Sequence, residues 1–154
     1  MAYLDSSAGN NEGGAVHVKA MTFTEVGAGT YTQSVTVPAG SYLLDIQVQA
    51  TALWNAGTSA SMEVGDAVDP DGYYTAIDLK ATDLTADQGI SFALQGGVGG
   101  AYMVSTHTTN IFDSVDRVVT ASVVSAGAGT NGRTRVIVVY ATPETSTAAA
   151  FVAA

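Results

Sequence analysis

Tyr42-Leu43-Leu44-Asp45-Ile46-Gln47-Val48-Gln49-Ala50-Thr51-Ala52-Leu53-Trp54 is the stretch that decides the fold. Tyr42, Leu44, Ile46, Val48, Ala50, Ala52 and Trp54 occupy every second position, with Asp45, Gln47, Gln49 and Thr51 between them. Alternation over this length marks a β-strand with one face in a core and the other wetter. A helix would need apolar residues three and four apart, a spacing that is missing. The phase assigns Trp54 to packing rather than to ligand stacking. The opposite face carries Leu43, Asp45, Gln47, Gln49, Thr51 and Leu53, with a single charge. A face that weakly polar suits contact with another protein.

The segments on either side repeat the pattern. Upstream, Tyr31, Gln33, Val35 and Val37 alternate after the turn Gly27-Ala28-Gly29-Thr30, and Pro38-Ala39-Gly40 ends that strand. Before it, Val16, Val18 and Ala20 keep one phase and Met21 and Phe23 the other, which predicts a bulge near Ala20. Downstream, Met62 and Val64 form a short strand, followed by an acidic loop over Asp66–Gly72. In residues 73–87, Ile77, Leu79 and Leu84 fit either a loop excursion or a short helical turn. Ile90, Phe92 and Leu94 alternate again, Gly96–Gly100 breaks the chain, and Tyr102–Thr108 is strand-like. Val115–Val124 and Arg133–Tyr140 read as the two arms of a hairpin. Short strands at regular spacing with Gly-rich turns predict an all-β, antiparallel sandwich of jelly-roll type over 15–142. The polar stretch 1–14 and the Thr/Ala-rich stretch 143–154 read as extended N- and C-terminal arms.

The 154 residues suit one domain, and the chain has no cysteine, so no disulfide is expected to hold it. Charged residues make up 12% of the chain, against about 25% in ordinary soluble domains. Thr, Ser, Ala and Gly replace the usual Lys and Glu cover, a composition that favours packing against other chains. The net charge is −9, with 14 acids and five scattered bases. Such a surface repels phosphate backbones and anionic lipid, so neither nucleic acid nor membrane is an expected partner. Met1–Ser6 lacks the basic and apolar regions of a signal peptide, and no apolar run is long enough to span a bilayer.

Several groupings resemble chemical sites. Gly127-Ala128-Gly129-Thr130-Asn131-Gly132-Arg133-Thr134 matches a dinucleotide-type glycine pattern and comes close to a phosphate loop. Such loops need a following helix to present amides, whereas Arg135–Tyr140 is β-branched and strand-like. The segment is therefore read as a hairpin loop with Asn131-Gly132 at its turn. Asp66, Asp69 and Asp71 could offer oxygens to calcium, but the Pro70-Asp71-Gly72 stretch is equally an acidic turn, and no metal is expected. His17 and His107 have no neighbouring Cys or His to complete a transition-metal site. Asp113, Asp116 and Arg117 fit a solvated strand end better than an acid–base pair. No catalytic constellation and no cofactor site stand out, so a non-enzyme is expected. Tyr73 and Tyr74, in a loop, are the candidates for an exposed aromatic contact, as are Phe151 and Val152 in the C-terminal arm.

The run Gly29–Gly40 leading into Leu43–Val48, with Met62–Tyr73 after it, resembles small virion proteins of tailed bacteriophages. Those proteins also pass from a strand through a Pro-Ala-Gly turn into a long alternating strand. The resemblance covers residues 29–79 best. It implies a jelly-roll-like head-associated protein, such as a decoration (cement) protein on the outer surface of the capsid or a capsid fibre base. It also implies, as partners, the major capsid protein and copies of itself, most simply in a homotrimer, with assembly in the host cytoplasm. The alternative it leaves open is a receptor- or glycan-binding module of a fibre or tail, using Tyr73 and Tyr74.

Overall fold

Most of the alternating segments become strands, but several do so with the opposite face turned inward. The structure, a computed structural model, describes residues 14–104 and 107–143. Ten strands follow in chain order: β1 Ala15–Thr24, β2 Gly29–Val37, β3 Tyr42–Ala52, β4 Ser59–Gly65, β5 Tyr74–Asp78, β6 Gly89–Ile90, β7 Met103–Val104, β8 His107–Thr108, β9 Arg117–Ala126 and β10 Arg133–Thr142. One antiparallel sheet has the order β1-β10-β3-β6 and a second the order β2-β9-β4-β5, while β7 and β8 form a separate small pair. The two large sheets share one core. Met21, Phe23, Ile46, Val48, Val136 and Val138 come from the first, and Val35, Val37, Met62, Val64, Val119 and Val123 from the second. The all-β, antiparallel sandwich is thus as expected.

The connectivity differs from the sequence reading in one important respect. β9 and β10 do not form a hairpin: β9 lies between β2 and β4, and β10 lies between β1 and β3 in the other sheet. The β1–β2, β2–β3 and β3–β4 connections also cross between sheets, the habit of jelly-roll-like folds. A tight turn fixes the register of a hairpin, but a crossover needs another anchor.

At one end of the sandwich that anchor is Glu25, which is almost fully buried. Its Oε2 accepts hydrogen bonds from the amides of Asn55 (3.0 Å), Asn131 (3.3 Å) and Gly132 (2.9 Å). The Glu25 amide in turn donates to the Gly132 carbonyl at 2.8 Å. Asn55 Oδ1 accepts from the amides of Thr130 and Asn131. The loop, read from sequence as a hairpin turn at Asn131-Gly132, instead presents those two amides as a cradle for an anion, the protein's own Glu25 carboxylate. No helix is involved, because both flanks are strands. Above the cradle the Trp54 indole N–H donates to Thr134 Oγ1 at 2.9 Å, and Tyr31 meets the ring edge-on at 5.5 Å. Gly132 lies against the Trp54 ring so closely that no side chain fits there.

Three phase readings are corrected. β1 runs opposite β10 from Ala15 to Thr24 without a register break, so there is no bulge at Ala20. Met21 and Phe23 face the core, while Val16, Val18 and Ala20 face outward. In β3 the register shifts where Asp45 faces Val139 and Leu43 faces Tyr140. The extra residue, Leu44, bulges outward. Tyr42 and Leu44 are consequently exposed and Leu43 is buried, the reverse of strict alternation. Beyond the bulge Ile46, Val48 and Ala50 point inward and Trp54 is buried, as the sequence indicated. Finally, only Gly89–Ile90 of the Ile90–Leu94 alternation is strand; Ser91 and Leu94 close a turn through reciprocal backbone hydrogen bonds, and Leu94 is exposed.

Replacing Glu25 by Ala leaves the Asn55 and Gly132 amides without their acceptor and the Asn131 amide with only Asn55 Oδ1, and should cost about 3 kcal/mol or more in urea-induced unfolding. Gly132→Ala should cost about 1–3 kcal/mol through overpacking against Trp54. An unchanged unfolding midpoint for Glu25→Ala would contradict the anchor role.

Candidate functional site

The structure does not gather the sequence-picked residues into one site. Tyr73 and Tyr74 are fully buried, which removes them as an exposed aromatic platform. The reason is that β5 starts at Tyr74, opposite Val64, and draws both rings under the loops that follow. The Tyr73 hydroxyl donates to the Asn110 carbonyl at 2.6 Å, and the Tyr74 hydroxyl to the Ile46 carbonyl at 2.7 Å. Phe92 packs against both rings, and Tyr102 meets Tyr73 edge-on. Phe151 and Val152 lie outside the described residues.

The acids and Arg117 also serve the fold. Arg117 bridges Asp66 and Asp113, each at 2.9 Å, and reaches the Tyr73 hydroxyl at 3.4 Å. Asp66 Oδ1 accepts from the amides of Val68 and Asp69 and from the Tyr102 hydroxyl. Both oxygens of Asp66 are therefore engaged by protein donors. A hydrogen bond with the Asp71 side chain is the main cause that holds the Asp69 carboxyl above its ordinary range. Asp116 accepts from the Ala39 amide and steadies the Pro38–Ser41 turn, where Gly40 takes the positive φ of 75°. Among the described residues, no group of three or more acidic, His or Cys side chains is arranged around a metal position. His17 stacks on Tyr140 at 5.0 Å and shares a hydrogen bond with Thr142. The side chain of His107 is outside the described set.

What the structure does expose is two broad, weakly charged sheet faces. On the β2-β9-β4 face, Thr30, Thr32, Ser34 and Thr36 stand opposite Val124, Ser122, Thr120 and Val118, and Ser61 and Glu63 continue the surface on β4. This face is a hydroxyl array with one acid. On the β1-β10-β3 face the opposed pairs are apolar: Val16 with Ala141, Val18 with Val139, and Ala20 with Ile137. Tyr42 stands next to Ala141 on the same face and touches Phe112, ring centroids 5.0 Å apart. Val16 and Val18 are 63% and 64% exposed, and Tyr42 and Phe112 about half exposed, at 47% and 49%. Its nearest charges are Asp45, which stands opposite Val139, and Arg135, one outward position beyond Ile137; Lys19 is on the other side of β1, its amine donating to the Thr36 carbonyl. Sequence reading placed Tyr42 in the core and did not select Phe112. Only the Leu44 bulge turns Tyr42 outward, and nothing in the local sequence announces it.

Three solved structures share this architecture. A chain in the acid-stable capsid of Helicobacter pylori bacteriophage KHP30 matches with a TM-score of 0.58 at 16% identity, covering 86% of this chain and 91% of that one. Its fold is one found in phage capsids. A chain of the cyanophage Pam1 capsid matches with a TM-score of 0.51 at 21% identity, over 85% of this chain and 87% of its own. A chain of the Ralstonia phage GP4 capsid gives 0.51 at 16% identity, over 87% and 88%. No protein-family model and no curated protein sequence matches the chain.

The buried tyrosines set an alkaline limit on the fold. Burial pushes the Tyr73 hydroxyl up to about 12 from an ordinary 10.0, with the Arg117 charge opposing. Burial raises Tyr74 as well, with the Asp45 charge acting in the same sense. The folded state thus holds these protons more tightly than the unfolded chain. The Tyr73 contribution to stability is complete below pH 10 and is lost as pH rises from there through 12, while that of Tyr74 also begins to fall above pH 10. Urea midpoints should fall across that window, and Tyr73→Phe should flatten the fall. A midpoint that stays level would contradict the burial of these hydroxyls.

Proposed function

We propose that the chain is a structural protein of a phage virion. The observation that carries this reading is the fold match to three phage capsid chains, over most of each partner's length. The chemistry of the surface supports it. A shell component needs broad faces that can lose water cheaply, and both sheet faces are nearly free of charge. The ionisable side chains in the most organised cluster, around Arg117, are spent on holding loops, which favours a structural role over a catalytic one.

In our reading the chain decorates the outer surface of the capsid after assembly in the host cytoplasm. Its partners are the major capsid protein and copies of itself in a closed trimer, an arrangement that repeats each modest contact and adds avidity. The sugar-binding alternative loses its supporting residues, since Tyr73 and Tyr74 are buried.

The test is association with particles of the phage that encodes the chain. After gradient purification the chain should remain with the particles in fixed stoichiometry. Once stripped, it should rebind assembled shells and not free shell subunits. Absence from purified particles would overturn the proposal.

A further inference from the structure

The apolar patch on the β1-β10-β3 face lies beside the point where the described chain ends. Thr142, the last residue of β10, pairs with Ala15, so the C-terminal segment leaves from the corner occupied by Val16, Ala141 and Tyr42. Eleven residues follow Pro143, enough to reach roughly 36 Å when extended. Their last seven, Ala148-Ala149-Ala150-Phe151-Val152-Ala153-Ala154, carry no charged side chain. Seven extended residues span about 23 Å, and the stretch from Val16 to Ala20 about 13 Å. An apolar segment and an apolar patch of compatible length are thus joined by a short polar link, Glu144-Thr145-Ser146-Thr147.

Direction decides whose patch is filled. β10 runs from Arg133 to Thr142, and the patch lies behind the exit point, along Ile137–Ala141. At Thr142 the strand points away from its own patch, so filling that patch within one copy would require the short link after Pro143 to reverse the chain, whereas a neighbouring copy at that end requires no reversal.

We infer that residues Ala148–Ala154 of one copy dock on the β1-β10-β3 face of a neighbouring copy, with Phe151 set among Val16, Val18, Tyr42 and Phe112. The inference rests on the self-associating virion subunit proposed above and names the contact that joins the copies. It is a head-to-tail contact, in which donor and acceptor surfaces differ. Such contacts close into rings when the rotation per subunit allows. The Phe ring and its neighbours lose water together, and no charge is buried without a partner.

The chain has no cysteine, so introduced thiols report without background. Full-length Phe151→Cys protein is mixed with full-length Val18→Cys protein under mild oxidation. As control, Phe151→Cys is mixed with Ser34→Cys, which places the thiol on the opposite sheet face. Both acceptor positions are exposed, so folding is not at stake. Disulfide-linked pairs through Val18→Cys should form at least tenfold faster than through Ser34→Cys. In the double variant Val18→Cys/Phe151→Cys, the products should be linked oligomers.

Equal rates at the two faces would overturn the inference, as would a double variant that closes mainly within one chain. The readout needs no capsid. Control-level cross-linking by a chain that is found in particles would refute the docking alone. Fast cross-linking by a chain absent from particles would refute the virion reading alone.

Discussion

The Glu25 carboxylate holds together the end of the sandwich where three crossovers meet. A fold in which successive strands alternate between sheets gains little register from tight turns, so its loops must be fixed by contacts between them. Glu25 follows β1, Asn55 lies between β3 and β4, and Asn131 and Gly132 lie between β9 and β10. One carboxylate oxygen accepts amides from the last two of these connections. The arrangement also places Gly132 under Trp54 and lets the indole reach Thr134, so the polar anchor and the aromatic lid of the core form a single unit.

The opposite end uses the complementary charge. Arg117 draws in the loop at Asp66 and the loop at Asp113, and touches Tyr73. Tyr73 and Tyr74 then tie the far loops and β3 to the core through their hydroxyls. With both ends fixed internally, the faces of the sheets are left without structural duties. Their composition of Thr, Ser, Val and Ala, with few charges, gives surfaces that cost little to desolvate. That division of labour suits a protein whose work is to join other subunits.

Much of this was legible in the sequence. Alternation located β1, β2, β3, β4, β9 and β10, and the phase of Ile46, Val48, Ala50 and Trp54 correctly assigned the core. What failed did so for identifiable reasons. A single bulged residue, Leu44, inverts the faces of Tyr42 and Leu43, and its cause is the pairing with β10, about a hundred residues away. The apolar outward residues Val16, Val18 and Ala20 look like core in a reading that equates apolar with buried. The β9–β10 segment resembles a hairpin because nothing local distinguishes a turn from a crossover. The glycine pattern at Gly127–Gly132 reads locally as a hairpin loop, because the anion held by its last amides, Glu25, lies 107 residues before Gly132. Tyr73 and Tyr74 read as loop aromatics because burial by distant loops leaves no periodic trace.

Two of the three corrected phase readings, those of β1 and β3, share an outcome: both turn apolar side chains outward on the same sheet face. Val16, Val18 and Ala20 on β1 and Tyr42 on β3 flank the outward side of β10, and together they make the patch that the fold itself leaves uncovered. The central claim is that this face is an interface in the assembled particle. A cryo-electron-microscopy reconstruction of the phage particle measures it most directly. The account predicts density for this chain with Val18, Val139 and Tyr42 covered by another polypeptide. A reconstruction in which that face points to open solvent would contradict it.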